Sequence, residues 1–262
     1  MRRMEPRSAR LSEWAKHRAW RRFHRSRGFR HAVLLARWNR ARHRMPDVAH
    51  LAFYEEETAL GPLQRDEALF IHALVRVLRP EVIVEVGFFR GRSALNFLTA
   101  LGGSGRLYSF DLDEEAEAAA VQFFAGTPNF RFTRKSQSRL SAADVDGAAI
   151  DMLYIDASHD YDLNVATFEG LEPSLASGAV VVVHDTGTWA RSQLGPRQRV
   201  ATEENPGWWL SPEEFAHQPG ERRFMNWIRE TYPDFAQLHL HTVRTPRHGI
   251  SVLQRTAPLP LP

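Results

Sequence analysis

Five short runs recur along the chain with helical pattern between them: EVIVEV (81–86), RLYSFDL (106–112), NFRFTRK (129–135), IDMLYID (150–156) and AVVVVH (179–184). The intervening segments near 92–102, 114–125, 138–144 and 162–176 have the apolar spacing of helices. Strands that are apolar on both faces must be covered on both faces. Strands separated by a helix can return in parallel, so a parallel sheet between two helical layers follows. An amphipathic helix over 63–78 (LQRDEALFIHALVRVL), stopped by Pro80, precedes the first strand. A helix over about 221–231 and two further runs, QLHLHTV and GISVLQR, follow the fifth. A Pro- and Gly-containing turn splits that last pair, which reads as an antiparallel hairpin closing the sheet edge. The expected fold is α/β, doubly wound, with seven strands and the last one antiparallel.

A chain of 262 residues suits one domain with appendages. It has no cysteine, which excludes disulfides, zinc–thiolate sites and thiol nucleophiles. No apolar run approaches the roughly 18 residues of a membrane span, and the N-terminus lacks a secretory pattern. A cytoplasmic protein without a transmembrane segment is expected. The charge is split. Residues 1–44 hold fourteen Arg and one Lys against Glu5 and Glu13, a net of +13. The other 19 basic and 29 acidic residues leave the body at −10, so the arm carries the basic character.

We therefore divide the chain into a basic helical arm, 1–45, and a body, 46–262. The arm reads as two helical pieces broken near Gly28, with Leu11, Trp14, Phe23, Val33, Leu34 and Trp38 on partly consistent faces. Such a face suits packing between copies of the chain, a homo-oligomer. Contact with nucleic acid or a membrane is the alternative that the arginines leave open. Within the body, residues 195–220 are rich in Pro and Gly yet contain Trp208 and Trp209, which suits an ordered lid over a pocket.

The first strand runs into EVGFFRGRS, Glu85 to Ser93. It lacks the GxxxxGK[ST] of a phosphate-binding loop and the GxGxxG of dinucleotide folds. Bulky Phe88 and Phe89 stand where a pyrophosphate would approach. The second strand ends in SFDLD, putting Asp111 24 residues beyond Gly87. A carboxylate there can accept both ribose hydroxyls, or it can simply cap the acidic helix that follows. Glu85, Gly87, Gly91 and Asp111 together describe a site for a nucleoside without a pyrophosphate, S-adenosyl-L-methionine answers that description, and Ser93 is a further candidate for binding it.

From these motifs the chain, between about 63 and 255, resembles the class I S-adenosylmethionine-dependent methyltransferases, with their Rossmann-like sheet. The resemblance implies that Ser136 and Gln137, in KSQ, lie by the adenine. Two more clusters sit at strand ends: IDASHDY places Asp156 at the end of the fourth strand with His159 three residues on, and VVHDTGTW places Asp185 at the end of the fifth. Neighbouring strands lie about 4.8 Å apart, so Asp156 and Asp185 can face one hard cation such as Mg²⁺ from two sides. That ion would activate a substrate hydroxyl, and His159 would take its proton. Aspartates in such places also cap helices, and a loop histidine is as often structural.

DASHDY followed by HDT resembles the metal-dependent small-molecule O-methyltransferases: the macrolide-sugar enzymes, the cephalosporin-hydroxylase-like proteins and, more distantly, the catechol type. The resemblance implies metal ligation by Asp156 and Asp185, a base at His159, Asp156 beside the cofactor and Thr186 in the place of a third ligand. It also implies a small hydroxylated acceptor: a sugar, a polyketide or a phenolic compound. Trp189, Trp208 and Trp209 can line an aromatic pocket for it, and Arg191 can meet an anionic group.

Overall fold

The computed structural model describes residues 46–54, 63–190, 214–216, 219–240 and 249–256. The chain forms two compact units, Met1–Ala49 and His50–Pro262, and the second carries the site. Outside the described residues lie the arm (1–45), Arg191, Trp208, Trp209 and nearly all of the expected lid. No helix among the described residues is long and apolar enough to cross a membrane.

Helix α1 (Arg65–Leu78) opens with the Gln64 backbone N–H donating to the Glu67 carboxylate at 3.1 Å, while the Glu67 N–H donates to Asp66 at 3.0 Å. Its buried residues Ala68, Ile71, His72 and Val75 form one stripe at helical spacing. Helix α2 (Arg92–Leu101) packs beside it, and Asn96 of α2 donates to the Ala68 carbonyl at 2.8 Å. Strand β1 (Val82–Val86) is buried along its whole length, as an apolar run in a covered sheet must be. There follow β2 (Arg106–Asp111), α3 (Glu114–Phe124), β3 (Phe130–Arg134), β4 (Ile150–Ile155), α4 (Tyr161–Leu171) and β5 (Leu175–His184).

Two expectations shift in detail. The helix expected over 138–144 is a pair of 3-10 turns, Gln137–Arg139 and Ala142–Val145. Asp144 caps Ser141 and pairs with Lys135 at 2.6 Å, so side chains meet backbone needs locally and no α-helix propagates. Helix α4 stops at Leu171, short of 176, because Pro173 offers no N–H; a 3-10 turn then leads directly into a longer β5. A short pair, β6 (Thr188–Ala190) with β7 (Glu214–Ala216), was not foreseen. The chain ends in α5 (Pro219–Thr231), β8 (Phe235–Leu240) and β9 (Ile250–Arg255).

The main sheet has the order β3-β2-β1-β4-β5-β9-β8. Strands β1 to β5 pair in parallel, and β9 lies antiparallel between β5 and β8. The expected antiparallel pair is present, with the final strand inserted next to β5 and β8 left at the edge. Winding runs outward from β1 to β3, then restarts at β4 on the other side. The carboxyl ends of β1 and β4 therefore flank a switch point, where an open sheet leaves a crevice for ligands.

One layer under the sheet is held by Phe168 of α4. Its ring meets Phe224, Trp227, Tyr232 and Phe235 at centroid distances of 6.0, 6.0, 5.1 and 5.8 Å. Fully burying each such side chain contributes roughly 1.5–3 kcal/mol. This cluster seats α5 on α4 and so fixes where the first turn of α5 points.

Candidate active site

Glycine is required where β1 meets the crevice. Gly87 has φ 102°, and a Cβ there would lie 2.1 Å from the Asp156 carbonyl oxygen at the end of β4. Gly91 caps α2 at φ 75° against the rings of Phe88 and Phe124. Phe88 turns inward to an aromatic cluster with Phe124, Phe130 and Phe132, while Phe89 is exposed at the mouth of the loop.

Asp111 is fastened to this loop. Its Oδ2 accepts from the backbone N–H groups of Phe88 (3.0 Å) and Phe89 (2.8 Å), and its Oδ1 from Asp113 (3.0 Å). The capping role that the sequence left open for Asp111 falls to Asp113, which accepts from the Glu115 N–H. Glu85 is fully buried on β1 and accepts from the Ser109 hydroxyl at 2.5 Å. Burial pushes its carboxyl up to about 8, although the hydroxyls of Ser109 and Ser93 pull it down.

That shift has a consequence for stability. Between pH 4.5 and about 8 the folded protein keeps a proton on Glu85 that the unfolded chain has released. Stability from this group is full below 4.5 and is lost as pH rises through that window. Wild-type Tm relative to Glu85→Gln is expected to fall by roughly 5–10 °C across it. Thermal melts at matched pH values check this, and a flat difference would show that Glu85 is ionised in the folded state.

Gln137 faces into the protein: its Nε2 donates to Asn164 (3.1 Å) and Thr167 (3.0 Å), and its Oε1 accepts from the Ser158 N–H (3.0 Å). It thereby braces the loop that carries His159. Ser136 starts the preceding 3-10 turn and shares a hydrogen bond with Ser138.

The chemistry-bearing side chains gather across the ends of β4 and β5. Asp156 accepts from the Tyr154 hydroxyl at 3.0 Å. Asp185 is buried and held at φ 61°, a left-handed backbone that non-glycine residues adopt at a cost of order 1–3 kcal/mol. His184 Nδ1 lies 3.0 Å from Asp185 Oδ1 and 3.3 Å from Asp156 Oδ1, while its Nε2 lies 3.3 Å from Glu67 of α1. One ligand atom from each of Asp156, His184 and Asp185 falls within 4.8 Å of the others. Thr186, next in the chain, is buried, and its hydroxyl accepts from Ser251 of β9 at 2.7 Å.

His159 stands at the edge of the cluster, its Nε2 3.6 Å from Asp185 Oδ2 and its Nδ1 2.6 Å from Glu221 of α5. Burial alone would lower its pKa, but the Glu221 hydrogen bond and the charges of Glu221, Asp185 and Asp156 outweigh it and hold it above the usual value. Burial likewise pushes the Glu221 carboxyl up, to about 7. Burial also opposes protonation of His184, and the charges around it, Asp156 first, carry it well above the ordinary histidine range.

Glu67 and Glu221 had no sequence signal of function. One looks like a capping residue and the other like an acid in the first turn of a helix. His159 and Glu221 are 62 residues apart, and only the packing of α5 joins them.

Residues 84–186 match the model of a family described as a methyltransferase domain. Among curated proteins, this chain is 28% identical over 131 residues to flavonoid 3',5'-methyltransferase of Vitis vinifera. The match covers 47% of this chain and 54% of that one, so the chain spans about half the length of this relative. Two solved structures share the fold. Podospora anserina methyltransferase PaMTH1, bound to S-adenosylhomocysteine, has a TM-score of 0.57 at 13% identity, covering 98% of this chain and 100% of its own. An O-methyltransferase from Bacillus cereus, also with S-adenosylhomocysteine, has 0.53 at 18% identity, covering 80% and 90%.

Proposed function

We propose that this protein is a methyltransferase that uses S-adenosylmethionine to methylate a hydroxyl of a small molecule, such as a sugar, a polyketide or a phenolic natural product, with a divalent cation assisting. The observation that carries the proposal is the meeting of His159, Asp156, His184 and Asp185 at the strand ends that border the glycine loop. The flavonoid enzyme's similarity and the two S-adenosylhomocysteine complexes support it.

The residues present fit both groups. Asp111 carries three backbone N–H bonds, and a carboxylate offers about four lone-pair sites, so capacity for a ribose hydroxyl remains. Gly87, Gly91, Ser93, Glu85, Ser136 and Asp156 complete the proposed cofactor lining, and Gln137, turned inward, supports it from behind. S-adenosylmethionine, when bound, supplies a methyl carbon on sulfonium sulfur and takes back the electron pair of the broken bond. For the cation, the carboxylates of Asp156 and Asp185 are oxygen donors that suit Mg²⁺, and with His184 as a third donor the set would suit a divalent metal that accepts nitrogen. Such an ion, when bound, supplies Lewis acidity towards a substrate oxygen.

The chain's own part is proton transfer and positioning. His159 Nε2 receives the proton of the acceptor hydroxyl, and the rising positive charge on the ring lies between Glu221 and Asp185. The test is transfer of labelled methyl from S-adenosylmethionine to catechol, caffeic acid, a flavonol and a methyl glycoside, with and without chelator. Methyl ether formation that chelation abolishes and added metal restores is expected. Labelling of RNA, with none of any hydroxyl compound, would replace this reading with an RNA methyltransferase.

A further inference from the structure

The His159 imidazole is gripped from the far side of the molecule's sequence. Glu221 is 3% exposed and reaches Nδ1 at 2.6 Å, a charge-assisted distance. The approach is possible because residue 220 is glycine: a Cβ there would lie 1.9 Å from the His159 carbonyl oxygen and 2.9 Å from its carbon. Arg223 stacks over the Tyr161 ring at 4.4 Å, and Phe224 is buried against Phe168, so the first turn of α5 is seated on both sides of Glu221.

We infer that Glu221 is the positioning residue for His159: it holds the proton on Nδ1, so that Nε2, on the Asp185 side of the ring, is the nitrogen that receives the proton of the acceptor hydroxyl. The inference rests on the reading of His159 as the base. The proton leaving the hydroxyl goes to Nε2, the Nδ1 proton stays where it is, and Glu221 remains a carboxylate beside the imidazolium. The two nitrogens of a histidine ring are distinct, and which of them carries the proton of the neutral form is set by the hydrogen bonds the ring makes. A buried carboxylate both selects the tautomer and stabilises the cation as it forms, the logic of a catalytic His–carboxylate pair.

The test uses the full chain labelled with ¹⁵N-histidine, in wild type, Glu221→Gln, Glu221→Leu and Glu221→Asp. Thermal melts and S-adenosylhomocysteine titration report whether each variant is folded. In the wild type the neutral His159 ring is expected to carry its proton on Nδ1, and in Glu221→Leu that preference is lost. With the best acceptor of the panel, Glu221→Gln is expected to lower kcat by roughly 10²-fold with KM changed less than about threefold, and Glu221→Asp to restore part of it. A wild-type proton on Nε2 would overturn the inference. So would full kcat in the folded Leu variant, or a fall in Glu221→Gln that only tracks lost cofactor binding. Full activity in His159→Gln would instead overturn the reading of His159 on which the inference rests.

Discussion

His159→Gln is expected to lower kcat for methyl transfer by roughly 10²- to 10⁴-fold, the usual contribution of a positioned general base. Its affinity for S-adenosylhomocysteine should stay within about twofold of wild type, because the ring's ion-pair partners, Glu221 and Asp185, are retained. Glutamine fills similar space and can keep one hydrogen bond to Glu221, yet it cannot accept a proton at neutral pH. The loss should therefore appear in kcat and leave KM nearly unchanged. Initial-rate kinetics with saturating cofactor provide the check. An unchanged kcat would mean that the acceptor loses its proton elsewhere and that His159 is a structural partner of Glu221.

Gly87→Ala has the largest expected effect on folding. A methyl group there would sit 2.1 Å from one backbone atom of the β4 end, 2.5 Å from a second and 2.8 Å from a third. None of these is a flexible side-chain tip that can move aside. The φ of 102° adds strain of its own. We expect a loss of at least about 3 kcal/mol, seen as a Tm lower by on the order of 10 °C, and no saturable cofactor binding. Gly178→Ala is the control, since φ is 80° there but a Cβ meets nothing within 4 Å. It should cost about 1 kcal/mol. Equal losses in the two variants would show that backbone strain, and not the β1–β4 approach, sets the requirement at Gly87.

The architecture was legible because its signals are local. Strands such as VIVEV and AVVVV declare burial on both faces through composition alone, and α1 declares itself through its apolar stripe and the stop at Pro80. Asp156, Asp185 and His159 were legible as candidates because strand ends in a parallel sheet face one crevice, whatever the rest of the chain does. What could not be read were contacts made by packing. Glu67 meets His184 across 117 positions of sequence, and Glu221 meets His159 across 62; both carboxylates have ordinary local explanations. The direction of a side chain was equally hidden: KSQ gives no hint that Gln137 turns inward to Asn164 and Thr167, nor HDT that Thr186 turns to Ser251.

The central claim, that the crevice between β1 and β4 is built for an adenosyl group, is tested most directly by calorimetric titration of S-adenosylhomocysteine into the folded chain in Mg²⁺-containing, low-salt buffer. The account predicts saturable binding of one molecule per chain, weakened at least about tenfold in Asp111→Ala, which removes the carboxylate proposed to hold the ribose. No heat of binding from protein shown by its melt to be folded, or equal affinity in the variant, would contradict it.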